Sequence, residues 1–466
     1  MAGKSTLEVE RAITRFIHGF SLSQLSEGVW AGIRTLIKDQ LANEIGCSEL
    51  PWSRQILEFT LSQRVPGTSR IVASNHMVSA ADAAFVNATY GHGFEYDDAH
   101  RASSSHPGCC VIPTALAIGE ELGSSLEEVL AALVVGYEVY TRIGIIAAPD
   151  LLARAFHPHA ILSNFGAAAV VARLRKYDEA TTTHAMAIVA SHASGTIEYS
   201  STGGSVKRVH AGMGVRNGIR SADMARAGIT GPFGYLTGLK GFYHAFLQKE
   251  VGDEYAERFD LAQPFQIERP WIKPHCCCGC NHAYIDAGRK LAPRLSEIVH
   301  IDAHIQDGAN VVVGNRNAHS RAPQTIEHVQ YSLPIQMAFS LLGLGNGAQV
   351  HMDYLNGKLD MRPEGEILRT ARMIEITPDP ELDRKYADWW MADVYATFRD
   401  GSKERVLIEN PIGTAENPVS QADLDAKFRE LTVPVLGENR SERLRHAIEE
   451  LDMKQTVSDF AALCSK

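Results

Sequence analysis

Between Leu126 and Tyr137 the apolar residues Leu126, Val129, Leu130, Leu133, Val134 and Tyr137 recur at the i, i+3, i+4 spacing of a buried helical face. Ser125 and Glu128, at the start of this run, have the pattern of a capping box. Alanine-rich segments of the same kind follow: "FGAAAVVARLRK", "TTTHAMAIVASHA" and "NGIRSADMARAG". Small side chains at this density let helices approach closely, which suits a thick helical bundle. Strand signals are nearly absent over the first ~265 residues, so this part reads as all-helical.

The pattern changes after Pro270. A helix is expected from Asn281 to Leu291, followed by alternation at Val299, Ile301, Ala303 and Ile305 that reads as a half-buried strand. "RMIEIT" is a second strand, and "DVYATF" and "ERVLIE" form a hairpin turning at Asp400-Gly401. Helix returns beyond Pro411, with Ser420 as an N-cap. A chain of 466 residues exceeds the size of most single cores. The expected fold is therefore mainly α: a large all-helical domain (1–267 and 409–466) with a smaller α+β domain (268–408).

A formal charge of −10 and a pI near 6.0 argue against nucleic acid or an anionic membrane as the main partner. An anionic ligand would have to find its cations gathered locally in a pocket. The N-terminus has acidic residues among its apolar ones and does not read as a secretion signal. "VLAALVVGYEVY" reads as too short and too interrupted to span a bilayer, so a cytoplasmic protein is expected. The cysteines show no disulfide-framework spacing.

Four clusters carry candidate chemistry. "HGFEYDDAHRASSSHPGCC" sets Glu95, Asp97 and Asp98 beside His100, Arg101 and His106, either as a site or as a surface loop with a capping carboxylate. "RAFHPHAILSNFG" sets His157 and His159 about Pro158, where one proline-positioned histidine fits better than a metal pair without a third ligand. In "EYSSTGGSVKRVHAG" the spacing fails the phosphate-loop pattern, so a glycine turn delivering Lys207 to a carboxylate fits better than nucleotide binding, with an exposed loop lysine as the competing reading. "IKPHCCCGCNH" holds Cys276, Cys277, Cys278 and Cys280. Adjacent cysteines are poor geometry for one tetrahedral metal, and no thioredoxin-like context precedes Cys277 and Cys280. A thiol near the positive start of a helix is the expected arrangement.

In order along the chain, "HGFEYDDAH" with "HPG", "FHPHAILSNFGAAAVVARL", "GGSVKRVHAGMGVRNGIRSADMARAGITGP", "IKPHCCCGCNHAYIDA", "EHVQYSLPIQMAFSLLG" and "AENPVSQADLDAKF" resemble the MmgE/PrpD family of 2-methylcitrate dehydratases, cis-aconitate decarboxylases and iminodisuccinate epimerases. The resemblance implies a helical domain with a chorismate mutase-like lid, the active site between them, a homodimer, and no metal or organic cofactor. It also implies a small polycarboxylate substrate. By position it implies catalytic roles for His106, His157, Lys207 and Cys278. Substrate contacts are implied for Asp97, Asp98 and Lys273, with His275, His282 and Arg208 beside them. Departures from the family pattern are Glu95 for an aspartate, Ala99 for a threonine, His159 for a threonine, and Cys278 where the decarboxylases carry histidine. In length and departures the resemblance is greatest to the epimerases, so the expected activity is inversion of a carboxylate-bearing stereocentre. A 2-methylcitrate dehydratase-like hydro-lyase is the alternative. A metal or redox protein built on Cys276–Cys280 is the reading from a different class.

Overall fold

The computed structural model describes residues 7–385 and 390–466. The Ser125 hydroxyl accepts the Glu128 N–H at 3.2 Å, and the Glu128 carboxylate accepts the Ser125 N–H at 3.2 Å. The helix this box starts, Leu126–Ala153, runs 28 residues, far past the apolar window. By length and composition alone it is apolar enough to cross a membrane, yet 94% of its most apolar stretch is buried by its neighbours. The window looked shorter because Glu138 and Arg142 interrupt it. Both are buried as a 2.8 Å ion pair, with the Arg142 guanidinium 5.0 Å from the Phe16 ring.

Small residues set the helix spacing. A Cβ at Gly136 would lie 2.4 Å from Val170 Cγ2, so Leu126–Ala153 and Pro158–Leu174 cross at contact distance there. The Val206–Arg226 helix approaches Pro158–Leu174 as closely, since a Cβ at Gly218 would meet the Asn164 carbonyl at 2.5 Å. Strand structure before residue 265 is confined, among the described residues, to the pair Ser69–Arg70 and Met77–Val78.

The four-stranded sheet of the smaller body has the order Ile374–Pro378, Ile298–Ile305, Ala392–Phe398, Lys403–Ile408; the first pair is parallel and the others antiparallel. The hairpin turns at Gly401, whose φ of 85° favours glycine. Ile301, Ala303 and Ile305 face inward as their alternation predicts, but Val299 is half exposed and Ile298 is buried instead. The register against Ala392–Phe398 shifts between Ile298 and His300, and this bulge reverses the phase of the first residues. One apolar core joins the N-terminal helices to Leu424, Phe428, Leu444, Ile448 and Phe460 near the C-terminus. A second gathers Ala283, Leu291, the sheet and Met337.

Two segments tie these bodies together. Ala99 and Trp271 exchange backbone hydrogen bonds at 2.8 and 3.0 Å. Lys427, on the Gln421–Leu436 helix, donates to the Asp39 carboxylate at 2.6 Å, the Tyr96 carbonyl at 2.6 Å and the Lys273 carbonyl at 3.0 Å. Both links end beside the same cavity.

Candidate active site

A cavity of ≈ 110 Å³ opens where the residue 95–106 loop, the 271–280 segment and the starts of two helices meet. Its wall includes His106, His157, Lys207, Lys273 and Cys278, together with Glu95, Tyr199 and Tyr331. Larger grooves lie on the outer helical surface, beside His18 and Lys176 and beside Arg11 and Phe233, away from these groups.

Local structure delivers each side chain. Gly203 and Gly204, at φ 83° and 102°, turn the chain into the Val206–Arg226 helix and place Lys207 in its first turn, buried. His157 is the N-cap of the Pro158–Leu174 helix, with Pro158 fixing its first position. His106 stands just before the Gly108–Leu122 helix. Its Nδ1 lies 2.8 Å from the Asp98 carbonyl, which can only accept, so Nδ1 carries the proton and neutral His106 keeps a lone pair on Nε2. His157 Nδ1 meets His210 Nδ1 at 2.8 Å. Burial lowers His106 to about 4 and His157 well below its ordinary value, so both are neutral bases near pH 7.

Glu95, named in the sequence among the carboxylates of its cluster but given no role there, stands in the cavity wall. It is buried at a φ of 61°, a left-handed conformation uncommon for a non-glycine residue. Its carboxylate forms an ion pair with Lys207 and lies 3.6 Å from Lys273 Nζ. Lys273 is also 3.6 Å from the Asp97 carboxylate. Burial, reinforced by the charges of Lys273 and Arg208, pushes the Lys207 ammonium well below its ordinary value. The preceding carbonyl, of Phe94, is held by the Cys276 thiol at 2.9 Å and the Gln330 amide at 2.8 Å.

The cysteine loop is thus divided in its uses. Cys276 pins the Glu95 turn, and Cys277 is buried with its thiol pushed up by desolvation. Cys278 faces the cavity, and a hydrogen bond from the Cys280 thiol outweighs burial to bring it down to about 7; the Cys280 N–H, Lys273 and Lys207 add to the effect. Cys278 precedes the short turn Gly279–Asn281 that leads into the His282–Leu291 helix.

Five residues expected to touch substrate lie behind the wall. Arg208 is buried over the Trp52 ring at 3.7 Å and donates to Glu327 at 2.7 Å, because adjacent helical positions point apart. Asp98 accepts the Gly108 N–H at 3.0 Å and caps that helix, while burial and Asp97 push its carboxyl well up. Asp97 accepts from His92 Nδ1 at 2.7 Å. His275 pairs with Asp286 at 3.3 Å, and His282 packs edge-on against His275 and Trp271. None of the five lines this cavity, though Arg208 lines a smaller one beside it with Glu95, Tyr199 and Lys207, and their packing supports the residues that do line it. Tyr199 and Tyr331, whose reach was left open by the sequence, are both in the wall. Ligand-type atoms gather in threes within 4.8 Å at His92, Cys109 and His159, and at His92, Asp97 and His106.

A helical body and a smaller α+β body enclosing buried lysines, imidazoles and a thiol define an enzyme with a small-molecule site. The chain belongs to the MmgE/PrpD family: the profile of the MmgE/PrpD N-terminal domain matches residues 11–253, and that of the C-terminal domain matches residues 275–453. Among curated relatives, a cis-aconitate decarboxylase of Aspergillus terreus is 25% identical over 98% of this chain and 95% of its own. Cis-aconitate decarboxylases of Mus musculus and Homo sapiens are 24% and 25% identical, over 98% and 96% of this chain and 93% and 92% of theirs.

Proposed function

We propose that this protein is an epimerase that inverts a carboxylate-bearing stereocentre of iminodisuccinate, using acid and base groups of its own chain. One observation carries the reading: a thiol tuned to about 7 and a neutral imidazole with a free Nε2 line one cavity with two buried lysines. His106 Nε2 takes the proton beside the carboxylate, and the negative charge moves onto the carboxylate oxygens. Lys207 and Lys273, both buried, stabilise that charge. The Cys278 thiol returns a proton to the opposite face, and in the reverse direction the Cys278 thiolate takes it and the His106 imidazolium returns it. A thiol at position 278, where the resemblance puts histidine in decarboxylases, favours proton return over loss of carbon dioxide. Each substrate carboxylate that enters competes with Glu95 for the lysines, which links binding to a rearrangement of that ion pair.

The second reading is a lyase acting on a tricarboxylate, favoured by the cis-aconitate decarboxylases among the relatives. The two readings separate when iminodisuccinate, cis-aconitate and 2-methylcitrate are each incubated with the protein in deuterium oxide and followed by NMR. Deuterium entering iminodisuccinate as its epimer forms, with no loss of carbon dioxide or water, supports epimerisation. Itaconate-type decarboxylation or loss of water, without that exchange, assigns the protein to the lyases.

A further inference from the structure

Behind His106, three buried side chains turn metal-ligating atoms toward one another. His92, Cys109 and His159 are each fully buried and bring one such atom apiece within 4.8 Å of the other two. Each imidazole is oriented through its second nitrogen. His92 Nδ1 lies 2.7 Å from the Asp97 carboxylate, so it carries the proton there, and His92 Nε2, buried, has no hydrogen-bond partner. His159 Nδ1 lies 2.8 Å from the Tyr140 hydroxyl, and its Nε2 is 3.8 Å from Cys109 Sγ. Carboxylate and hydroxyl partners of this kind orient imidazoles as metal ligands. Bond lengths of ~2.05 Å to nitrogen and ~2.3 Å to sulfur put N and S about 3.6 Å apart across a tetrahedral zinc ion, close to the separation found here.

We propose that His92 Nε2, His159 Nε2 and Cys109 Sγ form a binding site for one zinc-class divalent cation. The Cys109 thiol, which donates to the His106 carbonyl at 3.2 Å, releases its proton to solvent when the metal–sulfur bond forms. The resulting thiolate and the Asp97 carboxylate balance the two positive charges of the ion. Two imidazoles and one thiolate suit zinc, and exclude magnesium or calcium by their softness. The grouping of His92, Asp97 and His106 is the weaker alternative, because the His92–Asp97 hydrogen bond already occupies the nitrogen it would use. None of the three proposed ligands lines the substrate cavity. The ion is a positioning element: it fixes His92 and His159, whose rings pack 5.0 and 5.2 Å from that of His106.

Cobalt(II) titration of chelator-stripped protein tests this without any substrate. The expected result is one equivalent bound per chain, a thiolate-to-cobalt charge-transfer band, tetrahedral visible absorption, and displacement by zinc. Cys109→Ser loses the charge-transfer band, and His159→Thr, which restores the residue type the family resemblance carries, weakens zinc binding by more than about 100-fold. Cys278→Ser keeps the band. Circular dichroism confirms that each variant is folded, and the wild-type titration stands without them. A folded wild type that gives no charge-transfer band overturns the proposal. So does a band that survives Cys109→Ser, which would place the metal on another thiol or make it adventitious.

Discussion

Glu95 holds Lys207 in a buried ion pair at the wall of the cavity, with Lys273 3.6 Å from the same carboxylate. The two lysines are thus already paired within the chain, and an incoming carboxylate replaces an internal one. Glu95→Gln removes the internal partner and leaves Lys207 without its counter-charge. The variant is expected to be less stable than wild type by about 3 kcal/mol when empty, and to gain more stability than wild type from a bound polycarboxylate. Thermal melts with and without ligand measure both; equal ligand-induced gains would contradict this role of Glu95.

The acid–base pair predicts a particular pH profile. His106 must be unprotonated and Cys278 protonated in one direction, and the pair carries the same single proton in the other. kcat/KM is therefore bell-shaped in both directions, falling below about 4 and above about 7. Cys278→Ser lowers kcat by about 10²–10⁴-fold and removes the upper limb. An upper limb that persists in that variant would assign the titration to another group.

Buried neutral histidines set the acid stability of the fold. Desolvation lowers His100, His210 and His351 to about 4, from an ordinary 6.5. Between those values the unfolded chain binds protons that the folded chain does not. Stability is thus fully present above pH 6.5 and is lost as the pH falls toward 4. Melting temperatures recorded across that range are expected to fall steadily; a flat profile would mean that these imidazoles are solvated in the folded protein.

Lys427 acts at a distance on Lys273, whose carbonyl it holds at 3.0 Å. Lys427→Met leaves Asp39 buried without its cation, at a cost of about 3–5 kcal/mol, and loosens the Lys273 segment. Adding Asp39→Asn should recover stability without recovering kcat/KM. Recovery of both would make Lys427 a purely structural residue.

The helices were legible because their signals are local: spacing at Leu126–Tyr137, the Ser125 and Ser420 caps, and small residues at the crossings. The Asp400-Gly401 hairpin was legible for the same reason. Val299 misled because a bulge shifts phase through a partner strand some hundred residues later in the chain, which no local pattern records. Cavity residues such as His106 and Lys273 could be named from the family resemblance, whereas Arg208, Asp98 and His282 share the same motifs without lining that cavity. Motif membership fixes neighbours along the chain, while the side of the helix or loop decides which of them reaches the cavity. The placement of Glu95 escaped the sequence, since its left-handed turn is held by Cys276 and Gln330, far off in the chain.

The central claim is tested most directly by a single stereochemical measurement. Enantiopure iminodisuccinate, incubated with the protein in deuterium oxide, is followed by NMR and chiral chromatography. The account predicts inversion at one carbon, with one solvent deuterium incorporated per inversion and no carbon dioxide or water released. Retention of configuration without deuterium uptake, while cis-aconitate is decarboxylated by the same preparation, would contradict it.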